Sequence, residues 1–261
     1  MISFVHTDFF NYYKSHFSLK NKTKLNSIYV FQKILDDLNY ITKNKIIIPT
    51  YNYDFSKTKN FNYKNDKSQV GSFSEFFRKK FINSRTLVPF FSTCNNCKLE
   101  FYKKINLIDP FGPDSEFDYL YKNNGKILNF GASFAPTYIM YIERSLKNGA
   151  LYRYKKIFKG QSFIKNKYRD LTLYYEVRPI ILNIQYDLKK IRNLLMGHNI
   201  LKIKKTKNNF NYEEIDAKKF KDLILRKIKT NPYFLLSKKT IINLKKNKFL
   251  NHKKFQIEQF E

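Results

Sequence analysis

The chain has 261 residues, of which 43% are hydrophobic, so it can bury the core of one large domain. Its formal net charge is +29 at pH 7, and its only cysteines are Cys94 and Cys97, which excludes a fold built on several disulfides. No stretch approaches the roughly 20 apolar residues that span a bilayer, and no secretory signal begins the chain. We therefore expect a cytoplasmic protein without a membrane span.

Lysine carries most of the positive charge. Only eight of the 50 basic residues are arginines, Lys, Asn, Ile, Phe and Tyr are abundant, and Trp is absent. These five abundant residue types share codons rich in A and T, so a biased nucleotide composition explains them together. We expect a solvated basic surface that attracts small anions such as coenzyme A or a nucleotide-linked sugar, and no specific nucleic-acid binding.

The beginning of the chain alternates strands and helices. Residues 1–5 and 45–50 are short apolar runs that predict strands. Between them, the helical spacing of apolar residues from 26 to 38 predicts a helix, and this order is typical of an α/β layered fold. Residues 50–67 have no period and predict a long loop.

Further along the chain, residues 72–81 predict an amphipathic helix, with Ser72 as its N-cap and Glu75 completing a capping box. Residues 126–130 predict a buried strand, and residues 137–146 predict a helix after the turn at Gly131.

The remaining predicted elements are strands at 171–177, 180–184 and 200–203 and helices at 187–196 and 217–229. We divide the chain into one domain of residues 1–236 and a lysine-rich segment, residues 237–261. That last segment is predicted to be a peripheral helix or a loosely held tail, because its apolar residues are scattered.

No metal site is predicted. The Cys94-Asn-Asn-Cys97 pair lacks the second pair or the nearby histidine that a zinc site needs, so we interpret it as two ordinary thiols. The four histidines are far apart in sequence, and no catalytic triad follows from their order.

Several segments, in order along the chain, carry more specific information. They are Val5–Asp8, Ile48–Tyr51, Ser68–Arg78, Arg85–Ser92, Phe111–Asp118, Gly125–Leu128, Gly131, Thr137–Glu143, Tyr152–Lys156 and Asn231–Leu236. With these segments the chain resembles the aminoglycoside 3-N-acetyltransferase family over about residues 3–236, in particular its members in surface-polysaccharide biosynthesis. The resemblance implies an α/β fold, a three-layer α/β/α sandwich with a central mixed sheet.

The resemblance also implies an activity, the transfer of an acetyl or related acyl group from an acyl-CoA to the amine of an amino sugar. The amino sugar is expected to be nucleotide-linked and to serve surface glycan synthesis, no metal is expected, and a homodimer is left open. Such a transfer needs a base to deprotonate the amine and hydrogen-bond donors for the oxyanion. The helix start at Val70-Gly71-Ser72 is a candidate donor site.

Two groups of binding residues follow from the matching segments. Those expected to bind acyl-CoA are Thr7, Pro49, Thr50, Val70, Gly71 and Ser72. Those expected to bind the substrate are Asp114, Tyr152, Arg153 and Tyr154. An arginine fork suits a phosphate, but a surface salt bridge with two ring contacts is the alternative for the last three.

The catalytic base departs from the family pattern. The family has a histidine three residues before a glutamate, and here Glu143 is present while Met140 stands at the histidine position. Val88 and Phe91 likewise replace family histidines. Since methionine cannot take a proton, three hypotheses are open. In the first, the base is Glu143 acting through water, or His6 at a strand end. In the second, the protein has lost catalysis and keeps a binding role. In the third, an amine with enough free base reacts through positioning alone.

Overall fold

The computed structural model describes residues 1–16, 26–97, 104–164, 167–250 and 253–260. The strands are β1 (Ser3–Thr7), β2 (Ile46–Pro49), β3 (Asn60–Asn62), β4 (Thr93–Asn95), β5 (Lys126–Phe130), β6 (Tyr154–Ile164), β7 (Lys167–Val177), β8 (Leu201–Lys205) and β9 (Asn211–Asp216). The helices are α1 (Phe9–His16), α2 (Ser27–Thr42), α3 (Phe55–Thr58), α4 (Ser72–Lys80), α5 (Glu116–Lys122), α6 (Tyr138–Arg144), α7 (Leu188–Gly197), α8 (Ala217–Thr230) and α9 (Lys238–Lys246).

The central sheet of the described residues has six strands in the order β4-β2-β1-β5-β9-β8. Strands β2, β1 and β5 are parallel to one another, whereas β4, β9 and β8 are antiparallel to their neighbours. Parallel strands need helical crossovers, and the predicted strand–helix–strand order supplies them. The sheet is therefore mixed, as predicted.

Helices cover both faces of this sheet. Side chains alternate along β1, so Val5 packs with α1, α2 and α4 on one face, while Phe4 packs with α5, α6, α7 and α8 on the other. The predicted α/β/α sandwich is confirmed. No helix in the described part of the chain is long and apolar enough to cross a bilayer.

A second sheet, in the order β3-β6-β7, was not predicted as such. Strands β6 and β7 pair antiparallel over their whole length, but exposed lysines interrupt the apolar pattern of β6. The prediction of a strand at 180–184 is wrong: Ile180–Leu182 is a 3-10 turn. Pro179 has no N–H for a ladder and Asn183 ends the turn with a positive φ of 44°.

The predicted loop at 50–67 is wrong in part, because it contains α3 and β3. The buried Arg85 guanidinium fixes this segment by donating hydrogen bonds to the carbonyl oxygens of Thr50, Tyr63 and Asp66. The segment is thus held by long-range contacts that its own sequence does not reveal.

The predicted capping box at α4 is also wrong. Gly71, and not Ser72, is the N-cap residue, so no side chain caps this helix. Glu75 instead forms two hydrogen bonds with Arg78, at 2.7 and 2.8 Å, and accepts the Ser68 N–H.

The described part of the C-terminal segment packs against the domain. Leu244 of α9 and Phe255 are buried in a small core with Tyr152 and Tyr154. The Lys254 ammonium lies 2.9 Å from a carboxylate oxygen of Glu176. The boundary at residue 236 stays a prediction.

Candidate active site at the carboxyl edge of the parallel strands

The carboxyl ends of β1, β2 and β5 lie along one edge of the sheet, which we call the carboxyl edge. Ligands of open α/β sheets gather at this edge. The loop before α4 reaches it as well, since the Gln69 N–H donates to the Tyr51 carbonyl at 2.8 Å. The structure thus brings the residues expected to bind acyl-CoA to one edge: Thr7, Pro49, Thr50, Val70, Gly71 and Ser72.

Thr50 and Pro49 are buried and engaged within the fold. The Thr50 hydroxyl donates to the Ser92 carbonyl at 3.0 Å, and the Thr50 carbonyl accepts from Arg85 at 2.9 Å. Pro49 is paired with Thr93 of β4. Their side chains are therefore occupied within the fold, and only their backbone helps to form this edge.

Gly71 is exposed and has φ 114° and ψ 154°, a conformation that L side chains rarely adopt. A Cβ placed on it would meet no atom within 4 Å, so the space beside the helix start is open. The Gly71 N-cap gives α4 no side-chain cap, so the first N–H groups of this helix are left without that hydrogen bond. The geometry suits a close approach by an anionic or carbonyl group.

His6 lies at the carboxyl end of β1, directly beside Asn129 of β5 in the parallel ladder. Its Nε2 atom is shielded from solvent and has no hydrogen-bond partner among the described residues. Burial lowers the pKa of His6 to about 4, so the imidazole is neutral at pH 7. A neutral imidazole can accept a proton.

Asn129 was not predicted as a site residue. It is buried, and its amide N–H donates to a Glu213 carboxylate oxygen at 2.7 Å, which fixes the orientation of the amide. Arg192 holds the other oxygen of Glu213 at 2.6 Å. The Oδ1 atom of Asn129 is buried and has no partner in the described part of the chain. Nε2 of His6 and Oδ1 of Asn129 therefore lie on neighbouring strands without a described hydrogen-bond partner, although buried polar groups in proteins are normally hydrogen-bonded.

Glu143 is fully buried within α6 and both its oxygens are occupied. It accepts hydrogen bonds from the Tyr152 hydroxyl at 2.6 Å, from Arg153 Nε at 2.6 Å and from the Tyr186 hydroxyl at 2.7 Å. Burial alone would lower the pKa of Arg153, but Glu143 beside it raises that pKa above its usual value. Burial and Glu143 likewise raise the pKa of Tyr152.

The residues expected to bind the substrate fall into two groups: Tyr152, Arg153 and Tyr154 are buried, so their salt bridge is not on the surface, whereas Asp114 is exposed. Tyr152 and Arg153 belong to the buried Glu143 network, and the Tyr154 ring stacks on Phe260 with 5.5 Å between ring centroids. Asp114 is exposed, with a positive φ of 58°, and its carboxylate lies 3.4 Å from the Lys122 ammonium. Their roles in substrate binding stay predictions.

Met140 lies on α6, one turn before Glu143, and is half-buried against the core. At the other positions where the family has histidines, Val88 and Phe91 are buried in the same core. Within the described residues no group of three or more His, Cys, Asp or Glu side chains could hold a metal ion.

A cavity of about 690 Å³ opens along the β4 edge of the sheet, a volume typical of small-molecule sites. Its lining includes Arg85 and Thr86 but neither His6 nor the loop at 70–72. Burial raises the pKa of Cys97, which also lines this cavity, so its thiol stays protonated.

We expect Glu143→Gln to lower the free energy of unfolding by about 3–5 kcal/mol, because it leaves the Arg153 charge buried without its partner. Denaturant unfolding measures this loss. The double variant Glu143→Gln/Arg153→Met should recover part of it, and Asp114→Asn, which removes an exposed carboxylate, should change stability by less than about 0.5 kcal/mol. A loss as small as that of the control would show that the ion pair does not stabilise the fold.

We expect His6 to make the protein acid-sensitive. Since its folded pKa lies below its unfolded value of 6.5, the unfolded state binds more protons between pH 6.5 and about 4, and stability falls as pH is lowered through this window. Between pH 7.5 and 5 the His6 contribution should be about 2 kcal/mol. Denaturant curves of wild type and His6→Asn at both pH values isolate it. Equal losses in the two proteins would contradict the lowered pKa of His6.

Solved structures share this fold. The YokD protein from Bacillus subtilis has a TM-score of 0.64 and 14% identity, over 88% of this chain and 87% of its own. Aminoglycoside acetyltransferase AAC(3)-Xa has a TM-score of 0.66 and 14% identity, over 90% and 87%. AAC-IIIb, solved in a binary complex with CoASH, has a TM-score of 0.67 and 14% identity, over 88% and 90%.

No protein-family model and no curated protein matches the sequence. The structural likeness extends over nearly the whole of each chain. This chain therefore has the fold of the aminoglycoside acetyltransferases.

Proposed function

We propose that the chain is an N-acyltransferase of the aminoglycoside 3-N-acetyltransferase family. It transfers an acyl group, in the simplest case acetyl, from acyl-CoA to the amine of an amino sugar. The observation that carries the proposal is the shared fold, found in a protein solved with CoASH, together with a neutral histidine at the carboxyl edge. The resemblance of the sequence segments supports it independently, because it rests on the residues alone.

In the proposed reaction the amine nitrogen attacks the thioester carbonyl, the C–S bond breaks, and the amine loses one proton. His6 is the better placed candidate to accept that proton, directly or through water, because its Nε2 atom is unpartnered within the described residues, but its pKa of about 4 makes the imidazole a weak base. Both oxygens of Glu143 already accept hydrogen bonds. We therefore propose that Glu143 positions α6 and the segment after it.

The Gly71 loop is proposed to receive the coenzyme. The open space beside Gly71 and the uncapped start of α4 supply free N–H groups for an oxyanion or a phosphate. Thr7 and the end of β2 lie along the same edge, so one extended molecule can contact all three segments.

The substrate is proposed to be a nucleotide-linked amino sugar of surface glycan synthesis. The formal charge of +29 repels polycations such as aminoglycosides and attracts the phosphates of a sugar nucleotide. The reaction is proposed to be cytoplasmic, since the only two cysteines, Cys94 and Cys97, are free thiols.

A second candidate function is binding without catalysis. Met140 stands where the family has its base, and its half-buried side chain packs against the core. In this case the protein would bind a glycan intermediate or a partner enzyme through the same scaffold.

We expect Gly71→Val to weaken coenzyme A binding at least about tenfold, because a β-branched residue disfavours φ 114° and fills the space beside the helix start. Calorimetry with coenzyme A measures the affinity. Gly197→Val is the matched control, since a Cβ there also meets no atom within 4 Å but the backbone φ is ordinary. If control and variant are both folded and Gly71→Val binds coenzyme A with unchanged affinity, the proposed coenzyme site at this loop is wrong.

We expect the wild type to release free thiol from acetyl-CoA when one member of a panel of amino-sugar nucleotides is present. His6→Asn should lower kcat/KM by about 10²-fold, because it removes a positioned base. Met140→His should then change the rate little. If wild type is inactive and Met140→His raises the rate by about 10²-fold, the scaffold is an enzyme without its base. If both are inactive but coenzyme or sugar nucleotide binds, the binding function stands and the acyltransferase proposal fails.

A further inference from the structure

The 3-10 turn at 180–182 carries the two most exposed large apolar side chains in the described part of the chain. Ile180 is 96% exposed and Ile181 is 81% exposed. Ile242 of the neighbouring α9 is 67% exposed, and α9 contacts this turn. We call these three side chains the isoleucine patch. Scattered single apolar residues are ordinary on protein surfaces, but two consecutive isoleucines that are both more than four-fifths exposed, with a third on the neighbouring helix, are not.

The exposure of the patch is built into the fold. Pro179 and Leu182, which flank the two isoleucines, are buried, and the Leu182 carbonyl accepts a hydrogen bond from Asn243 of α9 at 3.0 Å. The Arg178 guanidinium donates to the Ile184 carbonyl at 2.8 Å on the other side of the turn. Because the turn is fixed at both ends, Ile180 and Ile181 cannot fold back into the core.

Lysines of α9 lie one helical turn before and after Ile242 of the patch. Lys239 and Lys246 line a groove of about 600 Å³ with Ile242, and Lys238 and Lys245 are exposed on the same helix. The sequence has no acidic residue between Asp222 and Glu258, and none between Glu176 and Asp187. The surface therefore combines an apolar projection with a positive rim.

We propose that the isoleucine patch and the lysines of α9 dock the protein on an anionic lipid bilayer. Isoleucine side chains gain by entering the boundary between headgroups and acyl chains, and each nearby lysine is attracted to anionic headgroups. A second copy of the chain would place lysine against lysine. A nucleic acid would satisfy the lysines but leave the isoleucines without a partner, because bases stack on aromatic rings.

The chain has no tryptophan, so Ile181→Trp introduces a single fluorescent reporter. With vesicles of equal parts phosphatidylcholine and phosphatidylglycerol we expect a blue shift of its emission, reversed by high salt, and about tenfold weaker binding to vesicles of phosphatidylcholine alone. Ile203→Trp, at a 53% exposed position on β8, should show no shift. A shift of the same size at both positions would overturn the proposal.

Sedimentation with the same vesicles tests the two components without a reporter. For the apolar component, Ile180→Ser/Ile181→Ser should bind about tenfold more weakly than its control, Ile157→Ser/Ile203→Ser. For the charged component, Lys239→Glu/Lys246→Glu should bind more weakly than its control of the same net charge, Lys14→Glu/Lys33→Glu. Equal losses in a variant and its matched control, or no binding by wild type, would overturn docking at this patch.

Two further outcomes would overturn it. One is a lower mass of the Ile180→Ser/Ile181→Ser variant in the absence of lipid, which would make the patch an interface between copies. The other is loss of random-duplex binding on the same substitution, which would make it a nucleic-acid surface.

Discussion

The buried ion pair between Glu143 and Arg153 is the interaction on which the rest of the structure depends. It connects α6, which packs against the central sheet, to the segment that leads into the second sheet. Burying two charges costs several kcal/mol per ion, and the hydrogen bonds from Tyr152 and Tyr186 to Glu143 offset that cost. Arg153 also donates to the Glu176 carbonyl near the end of β7. One carboxylate thus fixes the mutual position of three parts of the fold.

This arrangement bears on the candidate site. A carboxylate with both oxygens engaged in a closed network holds neighbouring elements but is not free to move a proton. His6 has the opposite surroundings: an unpartnered nitrogen in the described structure, a neutral ring, and an amide beside it whose direction Glu213 fixes. The fold therefore separates a rigid polar network from a site in which polar groups are left available, and the latter is the usual condition of a binding or reacting centre.

Much of the sandwich could be predicted from the sequence, because apolar periodicity reports local burial. The helix before β2, the strand β5 and the helices α7 and α8 follow such patterns. Arg153 could not be placed correctly, since the lysines after it suggest a surface and its partner lies ten residues away. β6 was missed because its exposed face is rich in lysine. Asn129 left a weak signal, an amide within an apolar strand, that could have marked it as functional.

The candidate site also has an order of assembly. His6 enters the ladder with Asn129, which lies more than a hundred residues later, and the Asn129–Glu213 bond spans a further 84 residues. Contacts of such long sequence separation form slowly, and during synthesis the last of them must wait for β9 to leave the ribosome. Until then the Asn129 amide beside His6 lacks the Glu213 carboxylate that fixes its direction. The candidate site is therefore complete only when β9 has been made, and a chain that ends before β9 would lack this fixed amide.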